Sequence, residues 1–240
     1  MKNLLFVAVV LILFVSCENP SAPPELKKED NKELASFLDA YYEERLQLFP
    51  LDATATGDNR YNDKLYADFT DSYRTKLKGF YERNLEGISK FNRDSLSSND
   101  KVSFDIFKRE MQMSVEGLTF HDNYIPCQQF WGLTLTMGQL GNGEGNQPFK
   151  TVKDYDDWLT RAKQFQVWTD SAIIYFRKGM AADFVLPKVL VEKMLPQMKD
   201  IQSADVTKSI FYGPVNKMPA DFSAADKERL TKAYASLIKE

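Results

Sequence analysis

Apolar positions along this chain recur three and four residues apart almost everywhere, which is the spacing of one face of an α-helix. Leu34, Phe37, Leu38, Tyr41, Tyr42, Leu46 and Phe49 form the first such stripe, and Pro50 is expected to stop it. Beyond a Gly57-Asp58-Asn59 loop, Tyr73, Leu77, Phe80, Tyr81, Leu85, Ile88 and Phe91 repeat the pattern. Thr70 or Asp71 is placed ahead of them to accept a free backbone N–H as N-cap. The Ser97-Ser98-Asn99-Asp100 cluster caps a third helix, whose Val102, Ile106, Phe107, Met111, Val115 and Leu118 make an apolar face wide enough to predict burial against more than one neighbour. Thr151 and Asp154 have the spacing of a capping box and open the longest helix, along Tyr155, Trp158, Leu159, Ala162, Phe165, Trp168, Ala172, Ile173 and Phe176. Gly179 is expected at the left-handed position that ends it. A further helix starts at Pro187 and carries Leu190, Met194, Met198 and Ile201. A last one, capped by Ser223 and Asp226, runs on Leu230, Ala233, Tyr234, Leu237 and Ile238. No segment alternates as a strand does. The pattern predicts an all-α fold, an irregular multi-helix array.

Two segments break the helical period. At the start, Leu4 to Val15 is an unbroken apolar run closed by Ser16-Cys17; it is too short to cross a bilayer, which takes about 20 apolar residues. It reads as a signal peptide. Phe14-Val15-Ser16-Cys17 resembles a bacterial lipobox, which makes Cys17 the acylated first residue of the mature protein and membrane lipid its partner. Residues 1–16 are thus the leader and residues 17–32, rich in Pro, Ser and charge, a flexible tether. Residues 33–240 form the helical body. Export to the cell envelope follows, facing the periplasm or the cell surface.

The second break runs from Tyr124 to Phe149, where Gly138, Gly141, Gly143 and Gly145 crowd a long Gly-rich loop. It lacks the Lys-Ser/Thr of a P-loop and the preceding strand of a dinucleotide fingerprint. A loop of this length in a compact domain is usually functional, so Gln128, Gln129, Trp131, Gly138 and Gly141 are candidate substrate-lining residues. The competing reading packs Phe130, Trp131, Leu133 and Leu135 on the helices.

Composition narrows the chemistry. With 31 basic and 34 acidic residues and a net charge of −3, the chain lacks the concentrated basic surface that nucleic acid requires. Its one histidine, His121, sits in an expected turn, and its two cysteines are Cys17 and Cys127, so no common zinc site can be assembled. With Cys17 acylated, Cys127 has no intrachain disulfide partner and reads as a small buried hydrophobe. Asp154, Asp156 and Asp157 are explained by the favourable field of a helix N-terminus. Trp158 and Trp168 lie within the apolar stripe and read as core. No residue qualifies as catalytic and none as a metal ligand.

Several segments together resemble one family. Tyr124-Ile-Pro-Cys-Gln-Gln-Phe-Trp-Gly132, the Thr151-Val-Lys-Asp-Tyr-Asp-Asp-Trp-Leu159 helix start, the Gly179 to Lys188 stretch, Phe211-Tyr-Gly-Pro214 and Pro219-Ala-Asp-Phe222 look like the N-terminal part of DUF885 bacterial lipoproteins, over about Leu34 to Glu240. That resemblance implies similarity to zinc metallopeptidases, largely helical and about twice this length, with a His-Glu-x-x-x-Gly-His type motif in the C-terminal half. The chain has no such motif. Together with a last helix still in period at Leu237-Ile238, the resemblance implies an N-terminal piece, incomplete relative to the family, inactive alone and partnered by a missing C-terminal half. Zinc is implied for the full-length family and no cofactor for this chain. Faces of the third and last helices made for that half are expected to be exposed. The alternative from another class is a self-sufficient helical binding lipoprotein for peptides or glycans, using the Gln128 to Gln147 loop.

Overall fold

The computed structural model describes residues 29–240. The leader at 1–16, Cys17 and the tether through residue 28 lie outside the described residues. Nine α-helices and short 3-10 turns, with no strand, make up the described residues, so the fold is all-α.

Helix α1 (Lys32–Leu48) starts behind Asn31, whose side chain accepts the Leu34 N–H at 2.9 Å. Its entry is already fastened ahead of residue 33. The Asn31 N–H donates to Asp100 at 2.6 Å, and the Ser97 hydroxyl donates to Asp30 at 2.8 Å. Pro50 ends α1 and also opens α2 (Pro50–Ala55), because a missing N–H costs nothing at the first helical position. Helix α3 (Asp71–Ile88) is capped by Thr70 and α4 (Ser98–Gly117) by Ser97, each hydroxyl accepting the N–H three residues on. These helices close on Leu34, Ile88, Phe104, Phe107 and Met111. Tyr41 meets Phe107 edge-on at 4.7 Å and stacks on Phe80 at 5.2 Å. Each such side chain removed from water contributes about 1.5–3 kcal/mol.

The apolar face expected on α4 splits in two. Phe104, Phe107 and Met111, spaced i, i+3 and i+7, are buried, while Val102, Ile106 and Met113 lie about half a turn away and are exposed. One helix thus carries an inner stripe against α1 and α3 and an outer stripe with no partner among the described residues.

The long loop expected at 124–149 holds a helix, α5 (Leu133–Gly141). Glycine costs about 1 kcal/mol in a helix interior, which hides the element from a propensity reading. Its buried Leu133, Met137 and Leu140 nevertheless repeat at i, i+4 and i+7.

Helix α6 (Val152–Ala181) opens with both halves of the Thr151/Asp154 capping box. Gly179 does not end it. The left-handed residue is Asp183 (φ 55°), and the Phe184 N–H reaches back to the Gly179 carbonyl at 2.9 Å, the long hydrogen bond of a Schellman stop. Asp tolerates that conformation, so the expected glycine is not needed there. Helix α7 (Lys188–Ile201) begins one residue later than expected, with Pro187 as its N-cap.

Helices α8 (Gly213–Asn216) and α9 (Ala224–Lys239) complete a second core with α5 and α6, around Tyr155, Trp158, Trp168, Met137, Leu230 and Tyr234. The Tyr155 hydroxyl donates to the Pro214 carbonyl at 2.9 Å, and Arg229 of α9 pairs with Asp156 at 2.7 Å. Leu230 and Tyr234 are fully buried, so the expectation that the last helix exposes its apolar face is corrected: α6 already covers it. No helix of the described residues is long and apolar enough to cross a membrane.

Candidate functional site

Helix α6 organises everything around it through one side chain. Arg161, three residues after Trp158 on the inward stripe, is fully buried. Its Nε donates to the Lys64 carbonyl at 3.0 Å, Nη2 to the Tyr61 carbonyl at 2.7 Å and Nη1 to Gln147 Oε1 at 2.7 Å. Burial pushes the guanidinium down to about 10, which leaves it charged at neutral pH. Gln164, one turn on, adds a second brace, accepting the Leu65 N–H and donating to the Asp63 carbonyl, both at 2.8 Å. The 61–65 segment and the end of the Gly-rich stretch are thereby fixed to one helix. The buried Gln147 Nε2 and Trp158 Nε1 have no hydrogen-bond partner among the described residues.

The candidate residues of the Gly-rich stretch separate into two groups. Gln128, Gln129 and Trp131 belong to a small braced loop. The Gln128 N–H donates to the Trp131 carbonyl at 2.9 Å, and Gln197 of α7 donates to the Gln129 carbonyl at 3.0 Å. The loop holds Phe130 at 72% and Trp131 at 55% exposure, so the reading that packs both rings on the helices is corrected; only Leu133 of that group is buried. Gly138 and Gly141 sit on the inner side of α5. A methyl group on Gly138 would meet Ile210 Cδ1 at 3.3 Å, and one on Gly141 would meet Trp158 Cζ2 at 2.3 Å. Their surroundings are core side chains.

A cavity of about 430 Å3 lies elsewhere, between α2, α5 and the 142–146 loop, and none of the candidate residues lines it. Leu51 and Leu140 form its apolar floor, with Ala55 at the end of α2 on one side and Thr136 and Gln139 of α5 on the other. The 142–146 loop closes the third side with Asn142, Glu144 and Asn146. Asn146 fastens the loop to α2 by donating to the Ala55 carbonyl at 3.3 Å, and Glu144 is paired with Lys217. The lining therefore offers carboxamides and a hydroxyl, with its one carboxylate neutralised. The sequence located the loop but missed these residues, since nothing in their spacing shows that α2 returns against them.

The titratable inventory elsewhere is structural. His121 is exposed and stacks on Tyr124 at 5.0 Å. Cys127 is buried, and burial pushes its thiol up to about 11, far from a nucleophile's range. Asp154 completes its capping box, Asp156 pairs with Arg229 and Asp157 with Lys153. Among the described residues no group of three or more His, Cys, Asp or Glu side chains converges on one point. Their donor set does not fit the zinc ion that the resemblance implies for full-length proteins.

Comparison with known proteins gives one result: a family model described as "Bacterial protein of unknown function (DUF885)" matches residues 50–240, from the start of α2 to the end of the chain. No curated protein and no solved structure matches it.

Proposed function

The chain belongs to the DUF885 family, and on that premise we propose that it is an exported lipoprotein, held to the envelope membrane through Cys17, that builds one helical wall of a peptidase-like cleft. Alone it hydrolyses nothing; zinc and its ligands come from a complementary metal-binding part.

The observation that carries this reading is the face around α7. Of its 14 residues only Met194 is buried. Val189, Val191 and Leu195 are exposed, Phe184 and Val185 lead into them exposed, and the braced loop holds Phe130 and Trp131 next to the same helix through the Gln197 bond. Val191 and Leu195 lie on one side of α7; exposed apolar side chains grouped in this way mark an interaction site, and aromatic anchors on a rigid loop are the usual centres of binding energy.

The test pairs the full chain with a separately expressed metal-binding part of a longer family member. Association and zinc-dependent cleavage of a model peptide are expected only when both are present. The exposed-face variant Trp131→Glu with Leu195→Glu should weaken association by about tenfold or more, with an unchanged thermal melt. In cell fractionation the full chain should follow the membrane and Cys17→Ser should leave it. A chain that stays monodisperse and does not associate with the metal-binding part would overturn the reading in favour of a self-sufficient lipoprotein.

A further inference from the structure

We propose that the cavity between α2, α5 and the 142–146 loop is a binding site for one neutral saccharide unit of about hexose size. This goes beyond the cleft reading and requires neither a metal nor a complementary half. The volume of about 430 Å3 lies within the range of small-molecule sites.

The argument is the match between the lining and its ligand. The exposed side chain of Gln139 makes no hydrogen bond to another described residue, so both ends of its amide are available. Asn142 uses its Oδ1 to accept the Glu144 N–H at 2.7 Å, which leaves its Nδ2 donors free. Asn146 spends one donor on the Ala55 carbonyl and keeps its acceptor. The Thr136 hydroxyl makes only a long contact of 3.4 Å to the Gly132 carbonyl. A carboxamide presents a donor and an acceptor side by side, which suits a pair of neighbouring hydroxyls that each give and take a hydrogen bond. Three carboxamides and a hydroxyl around so small a space call for a ligand equally dense in hydroxyls.

Charge excludes ionic ligands. A phosphate or carboxylate ligand needs a free cation, and the only lining charge is Glu144, already paired with Lys217. A cationic ligand would have to displace that lysine. The Leu51 and Leu140 floor takes the apolar C–H face of a sugar ring. The walls are also fixed in advance, because α2 and the loop are tied by the Asn146 bond and the loop's far end is held by Gln147 on Arg161.

The test titrates the full chain, in detergent, with glucose, galactose and N-acetylglucosamine, following saturation-transfer NMR and calorimetry. Saturable binding of at least one of them is expected. Ala55→Trp, which fills the cavity from an exposed helix end, should weaken it by about 20-fold or more, and Gln139→Ala by about fivefold, both with unchanged melting. Three results would overturn the proposal: no saturation by any sugar on a folded protein, sugar binding that both variants leave intact, or preferential occupancy by a blocked neutral dipeptide that Ala55→Trp abolishes. None depends on association with a metal-binding part, so this site and the cleft reading fail separately.

Discussion

Replacing Arg161 with methionine is expected to lower the unfolding free energy by about 3 kcal/mol, a large share of the roughly 5–15 kcal/mol that holds a domain together. Two opposing effects set the size. The variant no longer buries a guanidinium that is hydrogen-bonded to three neutral acceptors, with Asp63 and Asp157 near enough to favour its charge but not bonded to it, a relief of several kcal/mol. Against this, Gln147 Oε1 loses its donor in a buried site and the part-buried Lys64 and Tyr61 carbonyls lose theirs, at about 1–3 kcal/mol for each acceptor left unserved. Two of the three are backbone groups that no side-chain change can remove. The second term wins because the 61–65 segment and residue 147 reach α6 through this fork. Arg161→Lys keeps the charge but not the planar set of donors, and is expected to fall with Arg161→Met rather than near the parent. Urea unfolding at neutral pH measures both. A loss below about 1 kcal/mol for Arg161→Met would mean that water enters and serves the three acceptors instead.

How much of this was legible in the sequence depends on which kind of information each element needed. Helices with a polar cap and a regular stripe were readable: Thr70, Ser97, Thr151 and Ser223 each accept the predicted N–H. Elements whose stability comes from neighbours were not. Helix α5 carries one glycine in its interior and another as its last residue, and forms because Leu133, Met137 and Leu140 are buried by α6 and the 210–215 segment, a fact of tertiary packing. The two stripes of α4 could both be counted, but no periodicity says which one meets α1 and α3. The last helix was misread for the related reason that an apolar stripe shows the need for a partner without naming it, and α6 is that partner.

The site divides in the same way. The Gln128 to Gln147 stretch stood out because glycines and aromatics interrupt the helical period, and it does supply both the exposed aromatic loop and one wall of the cavity. Leu51 and Ala55, about eighty residues earlier in the chain, supply another wall and left no local trace. Arg161 did leave one. A lone basic residue between Leu159 and Ala162, three after Trp158, is an inconsistency in an apolar stripe, and such breaks mark places where tertiary structure demands something propensity does not.

Two glycines of α5 should respond in opposite ways to the same change. Alanine in a helix interior is favoured over glycine by about 1 kcal/mol, a gain available in full at Gly138 and only in part at Gly141, the last residue of α5. At Gly141 it is overwhelmed. The new methyl carbon would lie 2.3 Å from Trp158 Cζ2 and 2.6 Å from Phe211 Cδ1. Trp158 has no room to retreat, since it is buried with Phe149 at 6.1 Å and Phe211 stacked on it at 6.3 Å. Overpacking of this kind costs about 1–3 kcal/mol and more where rigid rings must move, so Gly141→Ala should destabilise by a net ~2 kcal/mol or more. At Gly138 the nearest atom is the terminal Cδ1 of Ile210, 3.3 Å away on a partly exposed side chain that can turn aside, and Gly138→Ala should be neutral or stabilising by up to ~1 kcal/mol. Paired urea midpoints decide it. Equal losses at both positions would mean that the α5 to α6 contact is looser than the Trp158 geometry requires, and that the two glycines serve something other than close packing.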